Sequence, residues 1–112
     1  VTGLFIRNSR AGALNPTIIR SNRVVAGGGN TSTIFGINIA NCNGVDVINN
    51  TSTLNSGGTN AFALQILNNG ANVKVLNNSL QVSATSTTAY AGFFSNTTAG
   101  TIVNNNIFSN IG

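Results

Sequence analysis

Val45-Asp46-Val47-Ile48-Asn49-Asn50-Thr51-Ser52 is answered, 28 residues later, by Val73-Lys74-Val75-Leu76-Asn77-Asn78-Ser79-Leu80. Each stretch alternates at period two, reaches a pair of asparagines, and starts a second short run. Related phrases flank them, Ile19-Arg20-Ser21-Asn22 on one side and Ile102-Val103-Asn104-Asn105 on the other. Asn22, Asn50, Asn78 and Asn105 are thus spaced by 28, 28 and 27 residues. A second series precedes it, with Asn8, Asn41, Asn68 and Asn96 at intervals of 33, 27 and 28. The long first interval contains Ser9 to Pro16, about five residues more than the matching corner Cys42-Asn43-Gly44, and reads as a loop insertion at 9–16. A third row is carried by Val24, Ser52, Leu80 and Ile107.

A fixed period of this length marks an architecture in which each unit stacks on its neighbours. The rows are short, rich in Ile, Val, Phe and Thr, and closed by Asn or Gly, so they read as strands separated by tight bends. No stretch supports a helix. Three short strands per unit, each one coil further on, predict an all-β fold: a single-stranded parallel β-helix in one domain. Its coils run approximately 1–32, 33–60, 61–88 and 89–112. The phrases VDVINNTS, VKVLNNSL and TIVNNNIF resemble the pectin-lyase-like parallel β-helix repeat of bacterial surface proteins and polysaccharide-active enzymes. That resemblance covers nearly the whole chain and implies a right-handed solenoid, but the repeat identifies a fold shared by many functions.

Stacking assigns a role to each aligned column. Phe35, Phe62 and Tyr90 are expected to form one interior column, Leu4, Ile37, Leu64 and Gly92 a second, and Ile6, Ile39, Ile66 and Phe94 a third. At the corners, side-chain amides one strand spacing apart, about 4.8 Å, are expected to form hydrogen-bonded ladders. Asn also tolerates the left-handed backbone that a sharp bend needs. Asp46 and Lys74 occupy equivalent positions of adjacent coils and are expected to pair across the stack.

The chain has 21 Asn, 13 Thr, 13 Gly and 10 Ser but only six charged side chains among 112 residues, far below the quarter or so usual in globular domains. With 41% apolar residues it is not a disordered chain. Enzymes of the resembling family work with clustered Asp, often with calcium, and an Arg or Lys base. Here Asp46 is the one carboxylate side chain and there is no His, so no catalytic pair of carboxylates, Ser-His-Asp relay or zinc site is expected. Gly27-Gly28-Gly29 lacks the Lys and Ser or Thr of a phosphate loop and reads as a return loop. Cys42, alone, forms no internal disulfide. No catalytic, metal or cofactor residue is assigned.

Net charge is +4, but Arg7, Arg10, Arg20 and Arg23 crowd the first coil and leave Lys74 alone beyond it, which is not the continuous basic face of a nucleic-acid binder. No apolar run approaches the length of a membrane span. The composition fits an extracellular or cell-surface body. The leading expectation is a non-catalytic β-helical rod that stacks end to end into a filament or forms part of a surface adhesin. Its partner is then a second copy or the adjoining coils of a longer parent chain; the length, close to four repeats, favours copies. Leu4, Ile6, Ile19 and Val24 are the candidate contacts at one end, and Phe94, Ile102 and Ile107 at the other. The alternative is a carbohydrate-binding or polysaccharide-lyase-like β-helix fragment lacking its acidic site, in which Arg10 and Arg20 meet an acidic surface polysaccharide. A lesser one is ice binding along Thr31, Thr59 and Thr87.

Overall fold

The computed structural model describes residues 1–28, 31–57, 60–85 and 88–111. Twelve strands follow one another without a helix among these residues. The first layer is β1 (Thr2–Arg7), β2 (Thr17–Arg20) and β3 (Arg23–Gly27). The second is β4 (Ile34–Ala40), β5 (Val45–Ile48) and β6 (Thr51–Ser56), and the third β7 (Ala61–Leu67), β8 (Val73–Leu76) and β9 (Ser79–Ala84). The fourth is β10 (Ala89–Ser95), β11 (Ile102–Asn104) and β12 (Ile107–Asn110). Three parallel sheets of four strands result, ordered β1-β4-β7-β10, β2-β5-β8-β11 and β3-β6-β9-β12. This is the expected parallel β-solenoid, with four strand layers separated by three stacking steps.

Register follows the repeat. Val47 pairs with Ile19 and Val75, and Val75 with Val103; Leu64 pairs with Ile37 and Gly92, and Ile66 with Ile39 and Phe94. The inward members of the middle layers, including Ile37, Ile39, Val45, Val47, Leu64, Ile66, Val73 and Val75, are fully buried. β-Branched side chains predominate there because they pack well on a pleated surface.

The first expected interior column is turned around. Phe35, Phe62 and Tyr90 stack ring on ring, with centroids 5.3 and 5.5 Å apart, but on the outer face. Their neighbours Ile34, Ala61 and Ala89 take the inward positions in the apolar cluster; Phe62 is buried as well, but among the rings of Phe35, Tyr90 and Phe93 rather than in that cluster. Phe93, also outward, packs edge-on against Phe62 and Tyr90. The cause is a break in parity: the β4–β7 pairing passes from Phe35–Phe62 to Ile37–Leu64 and skips Gly36 and Ala63. Gly36 lies so tightly against the third sheet that a Cβ there would stand 2.0 Å from Ser52 Oγ and 2.6 Å from the Ala63 carbonyl oxygen. Counting back from Ile37 at period two therefore puts Phe35 on the wrong face. At Gly92 the missing side chain leaves room chiefly for Phe108, whose Cε1 would lie 2.4 Å from an added Cβ, and then for Phe94.

The insertion at 9–16 leaves the layers undisturbed. Ser9 and Thr17 hydroxyls hydrogen-bond across its neck, and Arg10 bridges to Asn43 of the next layer. Lys74 Nζ lies 3.8 Å from Asp46 Oδ2, a half-exposed contact worth less than about 1 kcal/mol. Thr59 and Thr87 of the threonine column, and Gly29 of the glycine triplet, lie outside the described residues. No helix long and apolar enough to cross a membrane occurs among the described residues.

Ile66 sits mid-column with no exposed surface. Ile66→Ala is expected to cost about 2–5 kcal/mol in chemical denaturation, and Ile66→Asp, which strands a carboxylate without a partner, to abolish the β-sheet circular dichroism signal.

Candidate functional site

Each Asn-Asn corner divides its labour. The first residue bends the chain: Ser21, Asn49, Asn77 and Asn105 have φ of 58°, 54°, 55° and 52°. A non-glycine residue pays a steric penalty in this left-handed region, which Asn tolerates best. The second residue turns its amide inward. Asn22 N–H and Nδ2 both donate to Asn50 Oδ1 at 3.0 Å. Asn50 N–H and Nδ2 donate to Asn78 Oδ1 at 2.9 and 3.0 Å. Asn78 N–H and Nδ2 donate to Asn106 Oδ1 at 2.9 and 2.8 Å. Each Nδ2 also reaches back to a carbonyl of the layer before it, Asn50 to Ile19, Asn78 to Val47 and Asn106 to Val75. Asn50 and Asn78, each 1% exposed, thereby gain polar partners in the layers on both sides, as buried amides require.

The ladder consequently ends at Asn106, not at Asn105, and the same one-residue slip recurs in β11 and β12, while β10 keeps the expected register. Val103, not Ile102, continues the inward column of Ile19, Val47 and Val75, while Ile102 lies over Lys74 and Asp46 on the outside. Phe108, not Ile107, continues the inward column of Val24, Ser52 and Leu80. A slip of one residue moves every side chain to the opposite face. The signal was in the numbering: Asn106 keeps the interval of 28, whereas Asn105 shortens it to 27.

The other corner repeats the scheme with different chemistry. Asn8, Asn41, Asn68 and Asn96 are the bend residues, with φ of 58°, 55°, 50° and 51°; on the outside, Asn96 Nδ2 donates to Asn68 Oδ1 at 2.9 Å. The inward position belongs to the residue after each. Ser9 N–H meets Cys42 Sγ at 3.4 Å, Cys42 N–H donates to Asn69 Oδ1 at 2.6 Å, and Asn69 Nδ2 to the Ile39 carbonyl at 3.3 Å. Cys42 thus stands in for a ladder asparagine, its sulfur accepting where an amide oxygen otherwise does. Asn69, 2% exposed, was invisible to an alignment keyed on the first asparagine of each pair.

Outside this corner, a groove of about 550 Å³ runs across the layers, lined by the four bend asparagines together with Arg10, Asn43, Asn69, Gly70 and Thr98. Arg20 is exposed but does not line it. Hydrogen-bonding amides and one guanidinium make it a polar surface suited to hydroxyl-rich or anionic groups. No group of three or more His, Cys, Asp or Glu side chains that could hold a metal ion occurs among the described residues.

Among the described residues, the first and fourth layers each pair with a neighbouring layer on one side. Leu4, Ile6 and Val24 are half-buried against the core in the first layer, beside Ile19; Phe94 does the same in the fourth, edge-on to Phe108. Val103 and Phe108 are each 44% exposed. Asn110 holds the inward position beyond Phe108 and donates to the Ala89 carbonyl at 2.9 Å.

No protein-family model, curated protein or solved structure matches this chain.

Asn78→Ala removes the acceptor of the buried Asn50 N–H and the donor to the Val47 carbonyl. With each orphaned group costing about 1–3 kcal/mol, the variant is expected to lose about 2–5 kcal/mol in denaturant titration. Asn77→Gly is expected to be near neutral, since glycine adopts the same positive φ freely.

Proposed function

We propose that this chain is a non-catalytic, extracellular structural element: a right-handed β-helical rod of the pectin-lyase-like, bacterial surface-protein type, whose layers continue end to end in a filament or a surface adhesin. The observation that carries this reading is the distribution of exposed apolar surface. Among the described residues, the large apolar side chains left exposed are Val1, Phe5, Leu14, Ile18 and Val25 in the first layer and its loop, and Tyr90, Ile102, Val103, Ile107, Phe108 and Ile111 in the fourth. The middle layers, flanked on both sides, leave none. Interior repeats of a solenoid are covered by their neighbours; in the first and fourth layers the inward residues Leu4, Ile6, Val24, Val103 and Phe108 stay partly exposed beside unpaired strand edges, and Phe5, Ile18, Val25, Ile102 and Ile107 add apolar side chains on the outer face, over polar residues of the middle layers. A single carboxylate side chain and the absence of histidine support a role without acid-base chemistry.

The Asn-lined groove favours a second reading, binding of a surface polysaccharide, with Arg10 as the contact to an acidic sugar. It is compatible with the first, because a rod presents such a groove along its flank.

Sedimentation velocity over a hundredfold range of concentration tests the main reading. Concentration-dependent assembly is expected, together with its loss in Phe108→Lys, which places a charge on the fourth-layer face; a folded wild-type chain that stays monomeric throughout would sink it. For the groove, retention on uronic-acid polymers that disappears in Arg10→Ala, but not in Arg20→Ala, is the expected result.

A further inference from the structure

The tip of the inserted segment is apolar, unlike the corners that match it. Ala11, Gly12, Ala13 and Leu14 follow one another without a polar side chain, where the later layers have Cys42-Asn43-Gly44, Asn69-Gly70-Ala71 and Thr97-Thr98-Ala99. Leu14 is 95% exposed, more than any other large apolar side chain among the described residues. The loop leans on the second layer: Arg10 bridges to Asn43, and a Cβ at Gly44 would stand 2.4 Å from the Ala11 carbonyl oxygen. Past that contact the tip is clear, since a Cβ at Gly12 would meet nothing within 4 Å among the described residues.

The legs of the loop are held. Ser9 and Thr17 hydroxyls bond across the neck, Thr17 N–H donates to the Gly44 carbonyl at 2.7 Å, and Pro16 fixes φ on the returning leg. The tip is thus presented on an ordered base, which lowers the entropy lost on binding. Cations flank it. Arg7, at the end of β1, and Arg10 are both exposed. Among the described residues neither has a carboxylate to pair with, because the one acidic side chain, Asp46, lies against Lys74. Ile18, beside Thr17 on the other leg, adds a second exposed apolar side chain.

We infer that this loop docks on an anionic lipid surface, with Leu14 at the boundary between headgroups and acyl chains and the guanidinium groups of Arg7 and Arg10 at the phosphates. Charge complementarity selects that occupant. Unpaired cations alone would suit a soluble polyanion, and an apolar tip alone a socket on a protein. The two together on one pinned loop match an interface that offers negative charge and hydrocarbon side by side. Penetration is shallow, because Ala13 and Leu14 backbone groups have no ladder partner among the described residues and must keep their contact with water. The contact does not depend on end-to-end assembly and shares only Arg10 with the groove.

The chain has no tryptophan, so Leu14→Trp puts a single reporter at the tip, and Thr53→Trp puts one on the outward side of β6 in another sheet. Both variants, checked for wild-type circular dichroism, are sedimented with vesicles of phosphatidylcholine alone and of phosphatidylcholine and phosphatidylglycerol in equal parts. The expected result is binding to the anionic vesicles only, weakened by salt, with blue-shifted emission from position 14 and unchanged emission from position 53. Leu14→Ser lowers vesicle binding about tenfold and leaves retention on uronic-acid polymers unchanged. Equal binding to neutral vesicles, binding without a shift at position 14, or no vesicle binding by the folded chain would each overturn the lipid contact. If retention on uronic-acid polymers persists in that last case, the groove reading stands without it; loss of both removes both.

Discussion

The requirement that a buried amide find partners in the layers on both sides governs this molecule. A side-chain amide closed off from water is costly unless bonded, and Asn50 and Asn78 meet that condition only because equivalent residues stand one strand spacing away in each direction. The ladder thus ties the corner to an exact repetition of chain length between corners. Strand pairing adds the same condition for the backbone, and the inward columns add it for apolar contact. Local sequence makes the bend; the stack makes the bend stable.

Stability in such an arrangement is collective. Nearly all the fully covered side chains belong to the two middle layers, while the first and fourth contribute surfaces that are half-finished. A terminal layer donates as much order as it receives from one side only. The cation-rich first layer and the uncharged fourth are unequal in chemistry, although both follow the same repeat.

Much of this was legible in the sequence, and where legibility failed the reason is local. Hydrophobic alternation with a constant interval between asparagines is enough to find the strands, their parallel pairing and the register of every strand except β11 and β12. In the last layer three consecutive asparagines, Asn104, Asn105 and Asn106, offered two alignments, and the shorter one displaced Asn106, Val103 and Phe108 from their inward columns. The aromatic column failed for another reason. Alternation assumes an unbroken pleat, and the tight approach of Gly36 to Ser52 interrupts it, so Phe35, Phe62 and Tyr90 emerge on the outside although their spacing is perfect. Asn69 has no signature in the repeat because its column holds Ser9 and Cys42 in the layers before it, so position is kept while residue type varies. The groove is a property of neighbouring layers and has no sequence signature beyond the row of bend asparagines and the insertion that carries Arg10.

The neck of the 9–16 segment has a further consequence. Ser9 and Thr17 hold hands across the corner, and the Asn43 N–H donates to the Ser9 carbonyl while Thr17 N–H donates to the Gly44 carbonyl, so the solenoid resumes its path as though nothing had been added. Lengthening a loop whose ends are already pinned costs only about 0.6 kcal/mol per doubling. This corner is accordingly a port: peptide spliced between Ala11 and Pro16 is expected to leave the layers in step, because the pinned neck and not the loop sets the path of the strands.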